Sequence, residues 1–157
     1  MADSKVRSAT GGWTVRFRRL ESNLDLPLPA RSTPQAAGYD VRSAAAVDLA
    51  PGSIALVPTG LVMELPEGIE CQVRPRSGLA LEHGLTLPNS PGTIDPDYRG
   101  ELGIIVQNMG REMIHLARGD RIAQLVFAGF ETPAVEESHD LSSTSRAAGG
   151  FGSTGRE

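Results

Sequence analysis

Residues 53–73 read Ser53-Ile54-Ala55-Leu56-Val57-Pro58-Thr59-Gly60-Leu61-Val62-Met63-Glu64-Leu65-Pro66-Glu67-Gly68-Ile69-Glu70-Cys71-Gln72-Val73. Apolar and β-branched side chains come here in short runs, and Ile69 to Val73 alternates apolar with polar, the period of a half-buried strand. Proline fixes φ and lacks an amide hydrogen, while glycine admits left-handed backbone, so Pro66-Glu67-Gly68 reads as a tight turn. Strands are predicted over 53–57, 60–65 and 69–73. Outward from this stretch the same grammar repeats. Trp13-Thr14-Val15-Arg16-Phe17-Arg18 alternates, and further strands are predicted over 39–41, 101–107, 113–116 and 123–127. Turns fall at Ala50-Pro51-Gly52, Asn89-Ser90-Pro91-Gly92 and Arg118-Gly119-Asp120. Short strands with turns every 8–12 residues or so describe a β-sandwich or barrel, not alternating βαβ units. One brief helix is expected over 77–83, with Ser77 as its N-cap.

The composition agrees. The chain has 157 residues, 18 of them Gly and 11 Pro, so it is one turn-rich domain. A hydrophobic fraction of 39% is enough for one core. We place the all-β domain at residues 13–141, after a loose tail over 1–12. Residues 142–157 are mainly Ser, Thr, Gly and Ala, too polar to order themselves. They carry Arg146 and Phe151, and read as a flexible arm. The formal charge of −4 leaves no overall basic footprint for nucleic acid. No apolar run approaches a membrane span and no secretory leader is visible, so a cytoplasmic protein is expected.

Much chemistry is excluded. Cys71 is the only cysteine, which removes disulfides and cysteine-based zinc sites, and its core-strand position suggests inert packing. His83, His115 and His139 are too scattered for a local metal motif. The only lysine is Lys5, so there is no Walker A loop and no Schiff-base candidate. Catalysis must rest on carboxylates, arginines, hydroxyls, backbone amides and a borrowed metal ion.

Five segments carry such groups: Ala37-Gly38-Tyr39-Asp40; Arg74-Pro75-Arg76-Ser77-Gly78-Leu79-Ala80; Asn89 onward through Gly92-Thr93-Ile94-Asp95-Pro96-Asp97-Tyr98-Arg99-Gly100-Glu101; Gly119-Asp120-Arg121-Ile122-Ala123-Gln124-Leu125; and the stretch from Arg146 to Gly155. Their order and wording closely resemble the five motifs of the homotrimeric dUTPases, over about residues 37–155. The resemblance implies a jelly-roll-like fold, a homotrimer with active sites shared between subunits, and Mg²⁺-dependent hydrolysis of dUTP to dUMP and pyrophosphate. That reaction keeps uracil out of DNA and supplies dUMP for dTMP synthesis.

The same resemblance distributes roles. Asp95 is the catalytic base that orients a water for in-line attack on the α-phosphorus, with Asp97 the fallback. Arg76, Ser77 and Gly78 meet the phosphates, where a helix start and a cation suit an anion. Asn89 and the backbone of Gly92, Thr93 and Ile94 close round uracil, with a main-chain contact from Gly103. Tyr98 lies beneath the deoxyribose and leaves no room for a 2′-hydroxyl. Gln124 reaches toward the α-phosphate. Arg146 binds the terminal phosphate, Phe151 stacks on the base, and Gly152, Ser153 and Thr154 complete the arm. Asp40 holds Mg²⁺ through water, in keeping with that ion's reluctance to dehydrate. Two rival functions are weighed. A related dCTP deaminase needs a glutamate where this chain has Ile105, which cannot move a proton. A catalytically silent trimeric binding module has no use for Asp95, Tyr98 and Arg146 together.

Overall fold

The computed structural model describes residues 12–150. Ten strands form among them: β1 (Arg16–Arg19), β2 (Tyr39–Arg42), β3 (Val47–Leu49), β4 (Ile54–Glu64), β5 (Ile69–Arg74), β6 (Leu85–Thr86), β7 (Gly92–Ile94), β8 (Glu101–Asn108), β9 (Ile114–Leu116) and β10 (Arg121–Gly129). One helix, α1 (Ser77–His83), and a single 3₁₀ turn, Glu21–Asn23, accompany them. All pairings are antiparallel, in two four-stranded sheets ordered β1-β4-β8-β6 and β2-β10-β5-β7, with a β3-β9 ribbon. The expected jelly-roll-like all-β class is what forms.

Alternation decides the layers. Leu102, Ile104 and Val106 of β8 point inward, and Val57 of β4 joins them. They meet Val41 of β2, Cys71 and Val73 of β5 and Leu125 of β10 in one core, each at most 4% exposed. Burying one such side chain stabilises the fold by roughly 1.5–3 kcal/mol. The outward residues of the same strands are then free to be polar, and the functional groups sit there.

The structure corrects several expectations. The strands predicted over 53–57 and 60–65 are one strand, β4, whose register against β8 shifts between Pro58 and Val62. The interruption is a bulge rather than a turn, because buried polar groups fasten it in place. Asn23 donates from Nδ2 to the Thr59 carbonyl at 2.6 Å, and Thr59 donates from Oγ1 to the Leu102 carbonyl at 2.6 Å. The Gly60 amide donates to Oε1 of Glu101 at 2.8 Å. The helix has its expected bounds, but the N-cap is Arg76, and Ser77 is the first helical residue with no side-chain capping bond. It ends at Gly84, whose left-handed backbone donates to the carbonyls of Leu79 and Ala80. β1 starts at Arg16 rather than Trp13, and β3, β6 and β7 were not foreseen. Strands of two or three residues are too short to show a period.

Candidate active site

The outward face of sheet β2-β10-β5-β7 carries the candidate groups, and the strand register fixes their arrangement. Asp40 on β2 pairs with Gln124 on β10, which pairs with Arg74 on β5. Pro75 ends β5 because it has no amide for the ladder, and Nε2 of Gln124 donates to its carbonyl at 3.0 Å. This bond swings Arg76 back over β2. There the Nε of Arg76 donates to Oδ1 of Asp40 at 3.1 Å, and its Nη1 to the Arg121 carbonyl at 3.0 Å. Nη1 of Arg121 and Oγ of Ser32 each donate to Oδ2 of Asp40 at 2.9 Å. Gly38 has no side chain because a Cβ there would run into the amide of Gln124.

Asp40 is therefore the hub of this cluster, its side chain only 16% exposed. A carboxylate offers about four lone-pair positions, and three are taken. The turn before β10 is locked as well. The Arg42 guanidinium donates to the Gly119 carbonyl at 2.6 Å, and Ser43 exchanges backbone bonds with Gly119 and Asp120. A cavity of about 580 Å³ opens beside the cluster, with Arg42, Arg76, Arg121, His83 and His115 in its wall. Two guanidinium groups preset on one carboxylate, beside a cavity whose wall also holds Arg42, Glu112 and Asp120, offer cationic groups to a polyphosphate.

Arg121, Ser32 and Arg42 were missed as site residues. Arg121 stands inside a quoted motif, and its position directly before the β10 ladder was the available signal. Nothing in the sequence marked Ser32, because the loop that brings it to Asp40 has no periodic pattern.

The second group of residues lies elsewhere. β7 pairs with β5 as Gly92↔Val73, Thr93↔Gln72 and Ile94↔Cys71. Asp95 lies one residue past the end of β7, and the same register continued one step would set it opposite Glu70, four residues along β5 from the Arg74 row. At roughly 3.3 Å per residue and 4.8 Å per strand spacing, Asp95 is about 13 Å along and about 14 Å across from Asp40. Asp95 and Asp97 are both exposed. The loop that follows is tightly built: the Tyr98 amide donates to the Asp95 carbonyl at 3.2 Å, and the Tyr98 hydroxyl to the Glu101 carbonyl at 3.0 Å. Arg99 donates to the carbonyls of Pro96 and Tyr98. Tyr98 remains 45% exposed. Asn89 is exposed, with its side-chain amide beside Gly92. Gly103 lies on β8 opposite Pro58, with Leu56 against it.

The third group stands apart from both. The Nε of Arg146 donates to the Gly149 carbonyl at 2.8 Å, its one side-chain bond among the described residues. Residues 131–148 are exposed throughout. Phe151, Gly152, Ser153 and Thr154 lie outside the described residues.

Among the described residues three titrations are shifted by their surroundings, Arg118 upward through its hydrogen bond with Asp25 and two others. The Cys71 thiol is pushed up to about 12, by burial first and the neighbouring Glu70 second. Far from the cluster, a hydrogen bond from Arg118 holds the Asp25 carboxyl below its ordinary range.

An antiparallel two-sheet β fold of this strand order, with a guanidinium-carboxylate cluster on one outward face, is a jelly-roll-like β domain. Comparison with known proteins narrows this. The profile of the dUTPase family matches residues 25–155. The deoxyuridine 5'-triphosphate nucleotidohydrolase of Mesorhizobium japonicum is 53% identical over 152 residues, covering 94% of each chain. That of Roseobacter denitrificans is 55% identical over 137 residues, covering 85% of this chain and 90% of the relative. Among solved structures, the Staphylococcus bacteriophage 80alpha dUTPase with dUPNHPP superposes with a TM-score of 0.82 at 28% identity, covering 90% of this chain and 98% of the phage chain. A mutant dUTPase from phage phi11 of S. aureus, described for its coordination of a structural Mg(II) ion, gives 0.74 at 27% identity over 83% of this chain and 99% of the other. The chain belongs to the dUTPase family.

Proposed function

We propose that this chain hydrolyses dUTP to dUMP and pyrophosphate at sites shared between three copies. The observation that carries the shared site is the register. Asp40 and Asp95 have roles on adjoining parts of one triphosphate, yet they stand about 20 Å apart on a single chain by strand geometry. A base must come within about 3 Å of the water it deprotonates. Two chains side by side relieve the conflict, one supplying Asp40, Arg76, Ser77, Gly78 and Gln124, the other Asp95 and Tyr98. A third copy supplies the arm with Arg146, Phe151, Gly152, Ser153 and Thr154. An exposed apolar stripe on the other sheet supports self-association: Ile54 is 58% exposed, Leu56 68%, and Ile105, directly across from Leu56, 37%. Large contiguous apolar surface of this kind marks an interface.

In this reaction Arg76 and the free hydroxyl of Ser77 hold phosphate oxygens, and the spare Nε2 hydrogen of Gln124 points to the α-phosphate. Asn89 and the backbone of Gly92, Thr93, Ile94 and Gly103 close round uracil. Asp95, exposed and next to a rigid Pro96, takes the proton from a water aligned with the α-phosphorus, and pyrophosphate leaves on the opposite side. Asp40 fits a Mg²⁺ held through water. One lone pair of Oδ1 remains free, and among the described residues no three His, Cys, Asp or Glu side chains are spaced to bind an ion directly. Bound there, the ion supplies charge neutralisation for the phosphates.

The test is pyrophosphate release from dUTP, compared with ammonia release from dCTP. Pyrophosphate from dUTP and no ammonia supports the proposal, and the reverse overturns it.

A further inference from the structure

Gly100 takes no part in the roles assigned above, and the space around it is unusual. A Cβ built on Gly100 would fall on the Tyr98 phenol, 2.6 Å from Cζ and 2.9 Å from Cε2, with the hydroxyl oxygen closer still. The hydroxyl end of the ring therefore lies against the bare backbone of Gly100. Its far end is pinned by the 3.0 Å bond from the hydroxyl to the Glu101 carbonyl. Glu101 is itself anchored, because its carboxylate accepts the Gly60 amide in the β4 bulge at 2.8 Å. Seat and pin are thus both backbone features of one short loop. What would yield to a methyl at position 100 is the tip of a side chain, not the β-sheet, so the substitution displaces the ring and spares the fold.

We propose that Gly100 is a specificity-determining residue: it seats the Tyr98 ring at the height where it excludes a ribose 2′-hydroxyl. The inference rests on the sugar-reading role of Tyr98 proposed above and adds what fixes its position. A wall built from one ring rejects an extra hydroxyl by on the order of 10²-fold, so a shift of the ring is readable in the preference for dUTP over UTP.

The experiment measures kcat/KM for dUTP and UTP with the full chain and four variants: Gly100→Ala, Tyr98→Ala, Tyr98→Phe and the double variant Tyr98→Ala/Gly100→Ala. Gly100→Ala is expected to lower the dUTP:UTP preference at least about tenfold with an unchanged Tm. Tyr98→Phe keeps the ring, loses the pin and needs no new space. It lowers the preference less than Gly100→Ala does. In the Tyr98→Ala background the three atoms nearest the added methyl are gone, so Gly100→Ala changes the preference by less than about twofold, the non-additivity of two groups acting as one. If Tyr98→Ala removes the preference while Gly100→Ala and Tyr98→Phe keep it within about twofold, the seat is wrong and the role of Tyr98 stands. If Tyr98→Ala itself leaves the preference intact, the sugar-reading role fails, and the inference with it.

Discussion

The two ends of one sheet face are built on opposite plans. At the Arg74 end, Arg76, Arg121 and Ser32 all donate to Asp40, and Gln124 donates to the Pro75 carbonyl. At the Glu70 end, Asp95 is exposed, and among the described residues only its backbone is engaged, by Tyr98. The first end is preorganised for charge before any ligand arrives, which limits the reorganisation cost of binding a polyphosphate. The second offers a carboxylate that waits for its partner groups. In the reaction proposed above, the first end binds and the second reacts.

The sharpest way to break this contrast is Asp95→Asn, which keeps the shape and removes the base. Hydrolysis should fall by at least about 10²-fold while dUTP still binds, seen by single-turnover assay beside equilibrium titration. Near-normal turnover would move the role to Asp97. Next in size is a chain stopped after Leu141. Residues 142–148 are exposed throughout, so this chain should stay folded and trimeric by sedimentation yet lose most dUTP hydrolysis.

The preorganised end is probed by Arg121→Ala. It takes one of three donors from Asp40, and charge-assisted bonds of this kind are worth about 1.5–3 kcal/mol. The KM for dUTP should rise about tenfold or more, with a smaller change in kcat. A fall in kcat alone would contradict the assignment of this end to binding.

Much of this was legible in the sequence, for physical reasons. The alternation in residues 69–73 placed Cys71 inward and Glu70 and Gln72 outward, because a strand has a period of two. The wording of the motifs marked Asp40, Arg76 and Gln124, and the fold brings these three together. The sequence could not say that Asp95 falls at the far end of the sheet. That distance depends on the β5-β7 register, and β7 is three residues long with no periodic signal. The bulge in β4 was read as a break between two strands for a related reason: what holds it is the buried Asn23, 36 residues away in a segment without pattern.

The smallest effect on hydrolysis belongs to the back of the same strand, where the change is in thiol chemistry. Cys71 faces the core, and raising its titration from 9.0 to about 12 leaves about 10³-fold less thiolate at neutral pH. A disulfide reagent should modify the native chain more slowly than the unfolded chain by at least that factor. Because the folded value is the higher one, the thiol's contribution to stability is complete below pH 9.0 and is lost as pH rises toward about 12. Denaturant midpoints across that range would follow it.

That one active site draws its groups from different chains is tested best by mixing two inactive chains. One is stopped after Leu141 and keeps Asp95; the other is full-length Asp95→Asn and keeps its arm. After subunit exchange, verified by native mass spectrometry, some trimers combine an intact Asp95 with an arm from another chain. The account predicts that hydrolysis of dUTP returns in the mixture, in proportion to those mixed trimers. Verified mixed trimers with no more activity than either parent would contradict it, and would place base and arm within one subunit's own site.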